Sequence, residues 1–225
     1  TLAVGVDRSQ GLSSIDAMLP PETTEERRRQ LWSDWEAFDR AEPANQAVRA
    51  LGEFGRVDLD IIDGAFTPDE RGWTSGPSQF ELEVGNYIAY SVPLFDRAGR
   101  YAALREQWLP FYSKALAQER LAETRKFCLN NLSHVHTFVE RGICFQAFHR
   151  LYDAFREFIQ ALFIARRTYP IAYNKWIREQ IVDILGLPNP YAVLAGLLAI
   201  PNIESDTVSE HARRLERLLD EHACV

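Results

Sequence analysis

The chain has 225 residues, of which 46% are hydrophobic and 12% aromatic, and its formal net charge at pH 7 is −7. This composition is typical of a globular protein and excludes a largely disordered chain. The acidic balance argues against duplex nucleic acid as a partner, and no apolar run approaches the ~20 residues of a membrane-spanning helix. Three unevenly spaced cysteines and the lack of a recognisable signal peptide predict a reducing, cytoplasmic location.

The N-terminal segment combines a glycine-bearing loop with a short polar run. Gly5 and Gly11 lie in this loop, and the run Ser13-Ser14-Ile15-Asp16 follows it. Such an order predicts a strand that presents Asp16, although a loop of this kind has little specificity alone. A helix is predicted from Pro21 to about Arg40, because acidic residues fill its first turn and aromatic residues recur at helical spacing.

The run from Val57 to Gly64 alternates apolar and acidic residues, as a half-buried strand does. Asp58 and Asp60 therefore share one face of the predicted strand, where their charges repel each other. A divalent cation would compensate these carboxylates, since their oxygens are hard ligands. The alternative is an edge strand with solvated charges, which protects a sheet from aggregation. Both interpretations stay open at this point.

The second half of the chain is rich in helical patterns. Residues 80–84 alternate and predict either a strand or the start of a helix, and residues 93–97 predict a short strand before a tight turn. Helical segments are predicted at 101–108, 110–140, 144–168, 170–186, 190–200 and 205–222, separated by proline and glycine. The sequence thus predicts an α+β protein, with a small mixed β-sheet domain at 1–100 and a helical bundle domain at 101–225. The last helix carries an amphipathic face that is a candidate surface for a homodimer, formed by Leu215, Leu218 and Leu219.

The order of these motifs resembles that of the DNA polymerase β-like nucleotidyltransferases, especially the kanamycin-type aminoglycoside nucleotidyltransferases and uncharacterised bacterial relatives. In that family a Gly-Ser loop precedes a strand with paired acids, and a third acid follows on a later strand. Here Ser13 to Asp16 falls where the paired acids lie, and Asp58 with Asp60 resembles the third-acid strand. The sequence departs from the pattern at two places: Ser14 replaces the first acid, and Leu2-Ala3 replaces the Gly-Ser pair.

The resemblance implies a Mg²⁺-dependent nucleotidyltransferase that moves a nucleoside monophosphate from a nucleoside triphosphate, such as ATP, to a hydroxyl of a small-molecule acceptor. The residues with implied catalytic or metal-binding roles are Asp16, Asp58 and Asp60, with Glu140 as a candidate general base. The residues implied to bind the nucleotide are Ser13, Ser14, Tyr173, Asn174 and Lys175. The alternative, which Ser14 favours, is a degenerate relative that binds a nucleotide or a partner protein and catalyses nothing.

Overall fold

In the residues that the structure describes, short strands form one small mixed sheet and helices make up most of the remainder. The computed structural model describes residues 2–7, 11–52, 58–68, 72 and 75–224. The strands are β1 (Leu2–Asp7), β2 (Gly11–Met18), β3 (Asp58–Ile62) and β4 (Ser91–Phe95). The helices are α1 (Glu25–Ala41), α2 (Pro43–Arg49), α3 (Phe80–Val84), α4 (Arg100–Trp108), α5 (Lys114–Glu140), α6 (Cys144–Ala165), α7 (Pro188–Leu197) and α8 (Thr207–His222). The predicted combination of a small mixed sheet with predominant helix is therefore confirmed, and no helix in the described ranges could cross a membrane.

The sheet has the strand order β3-β2-β1-β4. Strand β1 runs antiparallel to β2 and β4, whereas β2 and β3 are parallel. Parallel neighbours need a crossover connection, and α1 and α2 supply it between β2 and β3. In the parallel pair Ser14 lies opposite Asp58 and Asp16 lies opposite Asp60. The register therefore brings the two acidic segments of the sequence to adjacent positions.

Helix α1 begins later than the sequence predicts. Thr24 adopts an extended conformation and its side chain accepts a hydrogen bond from the backbone N–H of Arg27 at 3.3 Å, so it caps the helix. Glu25 and Glu26 then fill the first turn, where the helix dipole favours negative charge. The predicted start at Pro21 is four residues too early because a turn at Pro20 to Thr23 precedes the cap.

The chain divides into two compact units, and each unit is built from two separate segments. The first unit comprises Thr1–Thr67 and Glu83–Leu109, and the second comprises Pro68–Leu82 and Pro110–Val225. The sequence interpretation instead divides the chain once, near residue 100. The polypeptide therefore passes from one unit to the other three times.

The first unit contains the sheet and has its own buried core. Its most buried side chains include Met18, Leu59, Ile88 and Tyr101. The hydroxyl of Tyr101 donates a hydrogen bond to the carbonyl of Ser91 at 2.7 Å. This buried contact ties α4 to the first residue of β4.

The second unit is a helical bundle in which α5, α6 and α8 pack against one another. The C-terminal half of α6 is buried almost completely, as its wide apolar stripe predicts. Leu215, Leu218 and Leu219 of α8 are buried against this bundle and do not form an exposed face. The assignment of this face as a homodimer surface is therefore wrong, and homodimer formation itself stays a prediction.

A polar network inside the second unit holds the segment 75–82 between α5 and α6. The backbone N–H of Gly76 donates to Glu157 Oε1 at 2.8 Å, and the carboxylate of Glu81 accepts hydrogen bonds from Tyr112, Arg120 and Gln160. Glu81, Glu157 and Gln160 are all fully buried. Because buried polar groups are costly without partners, this network makes residues 75–82 an integral part of the bundle.

Candidate functional site

The acidic residues singled out from the sequence meet on one face of the sheet. Asp16 on β2 lies in register with Asp60 on β3, so their side chains project from the same face. Asp58 lies two residues before Asp60 and shares that face. The neighbouring strand position, opposite Asp58, is occupied by Ser14. The parallel pair therefore places three of the predicted carboxylates together.

The environment of Asp16 is unusual for a carboxylate. Asp16 is 1% exposed, and its Oδ1 atom is buried without a hydrogen-bond partner among the described residues. Burial, and then the negative charge of Asp60, raise the pKa of Asp16 to about 7. Burial and the charge of Asp58 also raise the pKa of Asp60. Among the described residues neither Asp16 nor Asp60 has an ion-pair partner, and both pKa values are raised because the carboxyl groups are buried and close to one another.

One further residue close to these carboxylates was not identified from the sequence. Tyr87 lies on a π-helical turn, Gly85–Ala89, that continues α3. Burial, followed by the charges of Asp60, Asp16 and Glu83, raises the pKa of Tyr87 to about 12. The Tyr87 hydroxyl is therefore a protonated donor near three carboxylates at neutral pH. A π-helical turn has no simple hydrophobic period, so the alternation at residues 80–84 could not predict that Tyr87 lies close to the aspartates.

The Asp16 and Asp60 pair suits one hard cation. Mg²⁺ is commonly held by one or two carboxylates, and waters or substrate phosphates complete its octahedral shell. The buried and unpartnered Oδ1 of Asp16 fits this requirement. Among the described residues no group of three or more His, Cys, Asp or Glu side chains is arranged to hold a metal ion. The described residues therefore fit one cation with two protein carboxylates better than a cation enclosed by protein ligands.

Ser13 and Ser14 lie within β2, and the register between β1 and β2 shifts at Ser13. Ser14 is opposite Gly5 of β1 and opposite Asp58 of β3. The backbone amides of these two residues belong to sheet strands, and not to a separate phosphate-binding loop. Their assignment to nucleotide binding stays a prediction.

Glu140 is the last residue of α5, in the second unit. Its side chain is 64% exposed and lies 3.2 Å from Nε2 of His136, one helical turn earlier. Gly142 follows with a φ of 69°, which is the left-handed helix end that the sequence predicts. The local structure thus shows Glu140 as a solvated partner of His136, and its role as a general base stays a prediction.

The segment 173–175 also belongs to the second unit, and it is not helical as the sequence predicts. Gln180, which is fully buried, accepts a hydrogen bond from the N–H of Ile171 at 2.7 Å. Its amide nitrogen lies 2.8 Å from the carbonyls of both Ala172 and Lys175. These side-chain bonds replace the backbone ladder of a helix, so the predicted helix 170–186 is wrong over its first half.

The three predicted nucleotide-binding residues in that segment have different environments. Tyr173 is buried, whereas Asn174 and Lys175 are exposed. The Lys175 ammonium lies 5.8 Å from the centroid of the Trp176 ring, within the range of a cation–π contact. Lys175 therefore sits on a segment that is well anchored, and its ammonium is accessible to an anionic ligand.

Comparison of the sequence with protein-family models gave no match, and comparisons with curated proteins and with solved structures gave none either. Membership of the nucleotidyltransferase family therefore stays a prediction that rests on the motifs around Asp16 and Asp60. The chemistry of the site has to be argued from the carboxylates and their surroundings.

Proposed function

We propose that the first unit is a nucleotidyltransferase-like domain that binds a nucleoside triphosphate with Mg²⁺ and transfers its nucleoside monophosphate to a hydroxyl of a small molecule. One observation carries this proposal: Asp16 lies directly opposite Asp60, and it is buried with one oxygen that has no hydrogen-bond partner among the described residues. Two like charges in register destabilise a sheet, and either a proton on Asp16 or a bound cation relieves that repulsion. A cation that also binds phosphate is the ligand that best explains this pair.

In this proposal Asp16 and Asp60 hold the cation, and Asp58 lies beside them on the same face. Bound Mg²⁺ would neutralise charge on the triphosphate. The acceptor oxygen bonds to the α-phosphorus and loses its proton to a base, while the bond between the α-phosphorus and the bridging oxygen breaks and pyrophosphate leaves. The phenol of Tyr87 is protonated at neutral pH, and its raised pKa keeps it so in more alkaline solution, so its hydroxyl is suited to donate a hydrogen bond to a phosphate oxygen. Lys175 and Glu140 keep the roles that the family resemblance implies.

A cytoplasmic setting is part of this proposal. Cys128, Cys144 and Cys224 are all free thiols, as expected in a reducing compartment. Cys128 is fully buried, and burial raises its pKa well above the usual value, so it is an unreactive core residue.

Calorimetric titration with ATP, in Mg²⁺ and in EDTA, tests the binding step. We expect binding in Mg²⁺ that is weakened at least about tenfold by EDTA or by Asp60→Asn, since a charged ligand contact is lost. Asp34→Asn is the matched control, because Asp34 is an exposed carboxylate on α1 that is hydrogen-bonded by Gln30 at 2.8 Å. Its affinity for ATP should be unchanged. The same affinity in EDTA as in Mg²⁺, or no binding of any nucleoside triphosphate at millimolar concentration, would refute the proposal.

The second candidate function is nucleotide binding without catalysis. It is favoured by the strand position opposite Asp58, because the residue there is Ser14 and not an aspartate or glutamate. Release of pyrophosphate from ATP distinguishes the two functions, with water and a panel of hydroxyl compounds as acceptors. Mg²⁺-dependent binding together with pyrophosphate release that Asp60→Asn abolishes supports the transferase. Mg²⁺-dependent binding without any release supports the degenerate protein.

A further inference from the structure

A pocket of about 230 Å³ lies in the second unit, between α6, α7 and the segment that contains Asn174. Tyr152 and Phe155 line it from α6, Tyr191 lines it from α7, and Asn174 belongs to the third wall. The volume is slightly below that of sites for drug-sized ligands, so the pocket suits a molecule with a single ring.

The described residues that line this pocket include no charged side chain. Their polar side-chain groups are the amide of Asn174 and the hydroxyls of Tyr152 and Tyr191. An amide both donates and accepts hydrogen bonds, whereas a charged ligand would lose hydration in this pocket without gaining a counter-charge. The pocket therefore favours a neutral ligand that has a polar group of its own.

The wall from α6 has an aromatic surface. The rings of Tyr152 and Phe155 are nearly parallel, with 14° between their planes and 6.3 Å between their centroids. Phe148, one helical turn earlier, continues this row at 13° to the ring of Tyr152. Aromatic rings prefer offset-stacked or edge-to-face contacts with other rings. A flat aromatic ligand therefore gains more from this wall than a saturated ring of the same size.

The backbone of the third wall is held in an unusual conformation. Trp176, two residues after Asn174, has a φ of 49°, in the left-handed region where a bulky residue is an outlier. A π-helical turn, Glu179–Ile184, follows it, and the amide nitrogen of Gln180 in this turn donates to the carbonyl of Lys175 at 2.8 Å. Strained residues and π-helical turns are both frequent at functional sites. These features indicate that the third wall is part of a preformed binding site.

We propose that this pocket binds a neutral small molecule that combines one flat aromatic ring with an amide-like group. The ring packs against Tyr152 and Phe155, and the polar group exchanges hydrogen bonds with the amide of Asn174. This inference goes beyond the proposed function, because it requires neither the aspartates of the first unit nor a nucleotide. Its failure would leave the proposal of Mg²⁺-dependent nucleotide binding untouched.

Heteronuclear NMR titration of the full chain with four probes, without nucleotide or Mg²⁺, tests this proposal. Benzamide is the neutral aromatic amide, benzoate and benzamidinium have its shape with a negative or a positive charge, and cyclohexanecarboxamide carries the same amide on a saturated ring. We expect saturable binding of benzamide with a Kd on the order of 1 mM, as is reasonable for a ligand of this size. The other three probes should each bind about threefold to tenfold more weakly, because the charges lack a partner and the saturated ring does not stack.

Two substitutions assign the binding to this pocket. Ala195 is an exposed residue of α7 in the pocket lining, so Ala195→Phe should fill the pocket and abolish saturable binding. Ala192→Phe is the matched control, because Ala192 is exposed on the same helix but does not line the pocket, and its affinity for benzamide should be unchanged. Asn174→Ala, at an exposed position, should weaken benzamide binding about threefold to tenfold through the loss of a hydrogen bond.

The result that overturns the proposal is any one of three. These are no saturable binding of benzamide, equal affinity for the charged probes, and unchanged affinity in both Ala195→Phe and Asn174→Ala. Asp60→Asn, in the first unit, should bind benzamide as the wild type does, and a loss of binding in that variant would also contradict the assignment to this pocket.

Discussion

Arg120 and Glu81 form a two-point ion pair in the interior of the second unit. Nε of Arg120 lies 2.8 Å from Glu81 Oε1, and Nη2 lies 2.8 Å from Oε2. Neither side chain is more than 3% exposed. Tyr112 and Gln160 donate two more hydrogen bonds to the same carboxylate. The pair joins residues that are 39 positions apart, so it fixes the segment that contains Glu81 to α5.

Replacement of Glu81 by glutamine should destabilise the protein strongly. It removes the buried negative charge and leaves the buried Arg120 guanidinium with only the partly exposed Glu123 as a counter-charge, which costs about 3 to 5 kcal/mol of unfolding free energy. Urea denaturation followed by circular dichroism measures this loss. Glu123→Gln is the control, because Glu123 contacts the same arginine at 3.4 Å but its side chain is 28% exposed. That change should cost less than about 1 kcal/mol, and equal losses in both variants would contradict the assignment.

The stability of the protein should fall between about pH 4 and about pH 8 because of Asp16. The pKa of Asp16 is about 7 in the folded chain and has the ordinary value of 3.8 in the unfolded chain, so protonation favours the folded state. This contribution is fully present below the unfolded pKa and is lost as the pH rises through the folded pKa. The difference is on the order of 2 to 4 kcal/mol.

Chemical denaturation of the wild-type protein and of Asp16→Asn across this range measures the effect. The asparagine variant should lose less stability than the wild type as the pH rises, so it should gain relative to it above pH 7. Addition of Mg²⁺ should raise the stability of the wild type at high pH and leave the variant unchanged, since a ligand that binds only the folded state stabilises it. Parallel pH profiles for the two proteins would show that Asp16 is not buried as a high-pKa carboxyl group.

Gly76→Ala and Gly196→Ala should change the stability in opposite directions. Gly76 has a φ of +92°, which L-residues adopt only with strain, and its N–H donates to Glu157. Alanine there should cost on the order of 1 to 2 kcal/mol. Gly196 lies in α7, where an added Cβ has no atom within 4 Å, so alanine should gain up to about 1 kcal/mol. Thermal denaturation of both variants checks the sign, and a gain at Gly76 would contradict the turn geometry.

Gln180→Glu should loosen the segment 171–175 and destabilise the second unit. The amide nitrogen of Gln180 lies 2.8 Å from two backbone carbonyls, and a carboxylate oxygen at that place would repel both. We expect a loss of about 2 to 4 kcal/mol and faster amide exchange in this segment. Glu179→Gln, at an exposed neighbouring position, is the control and should have almost no effect. Unchanged exchange in Gln180→Glu would show that the segment is held by other contacts.

Local sequence patterns predicted those strands and helix ends that are determined by neighbouring residues. Alternation predicted β3, and a capping residue, Ser113, and a left-handed glycine, Gly142, mark the ends of α5 close to the predicted bounds. The loop at 171–175 was missed because its stability comes from the buried side chain of Gln180 and not from any periodicity. The two-segment construction of each unit was missed for the same reason, since its contacts join residues about 80 positions apart.

The candidate site was also predictable only where it depends on local sequence patterns. The identity of Asp16 and Asp60 as neighbours was predicted through motif order, and the sheet register places them opposite each other. The burial of Asp16 and the proximity of Tyr87 to the carboxylates depend on tertiary packing, which no pattern in a single sequence reports.

The hydrogen bonds that hold residues 75–82 in the bundle form late during synthesis of the chain, because their partners on α6 come much later in the sequence. The N–H of Gly76 donates a hydrogen bond to Glu157, which is added to the growing chain 81 residues later. At a translation rate of about 5 to 20 residues per second, Glu157 is added at least about 4 to 16 seconds after Gly76, and the hydrogen bond forms only after that. During that interval the apolar ring of Phe80 and the carboxylate of Glu81 have no helical bundle to receive them. Residues 75–82 therefore lack their partners on α6 until that helix has been synthesised.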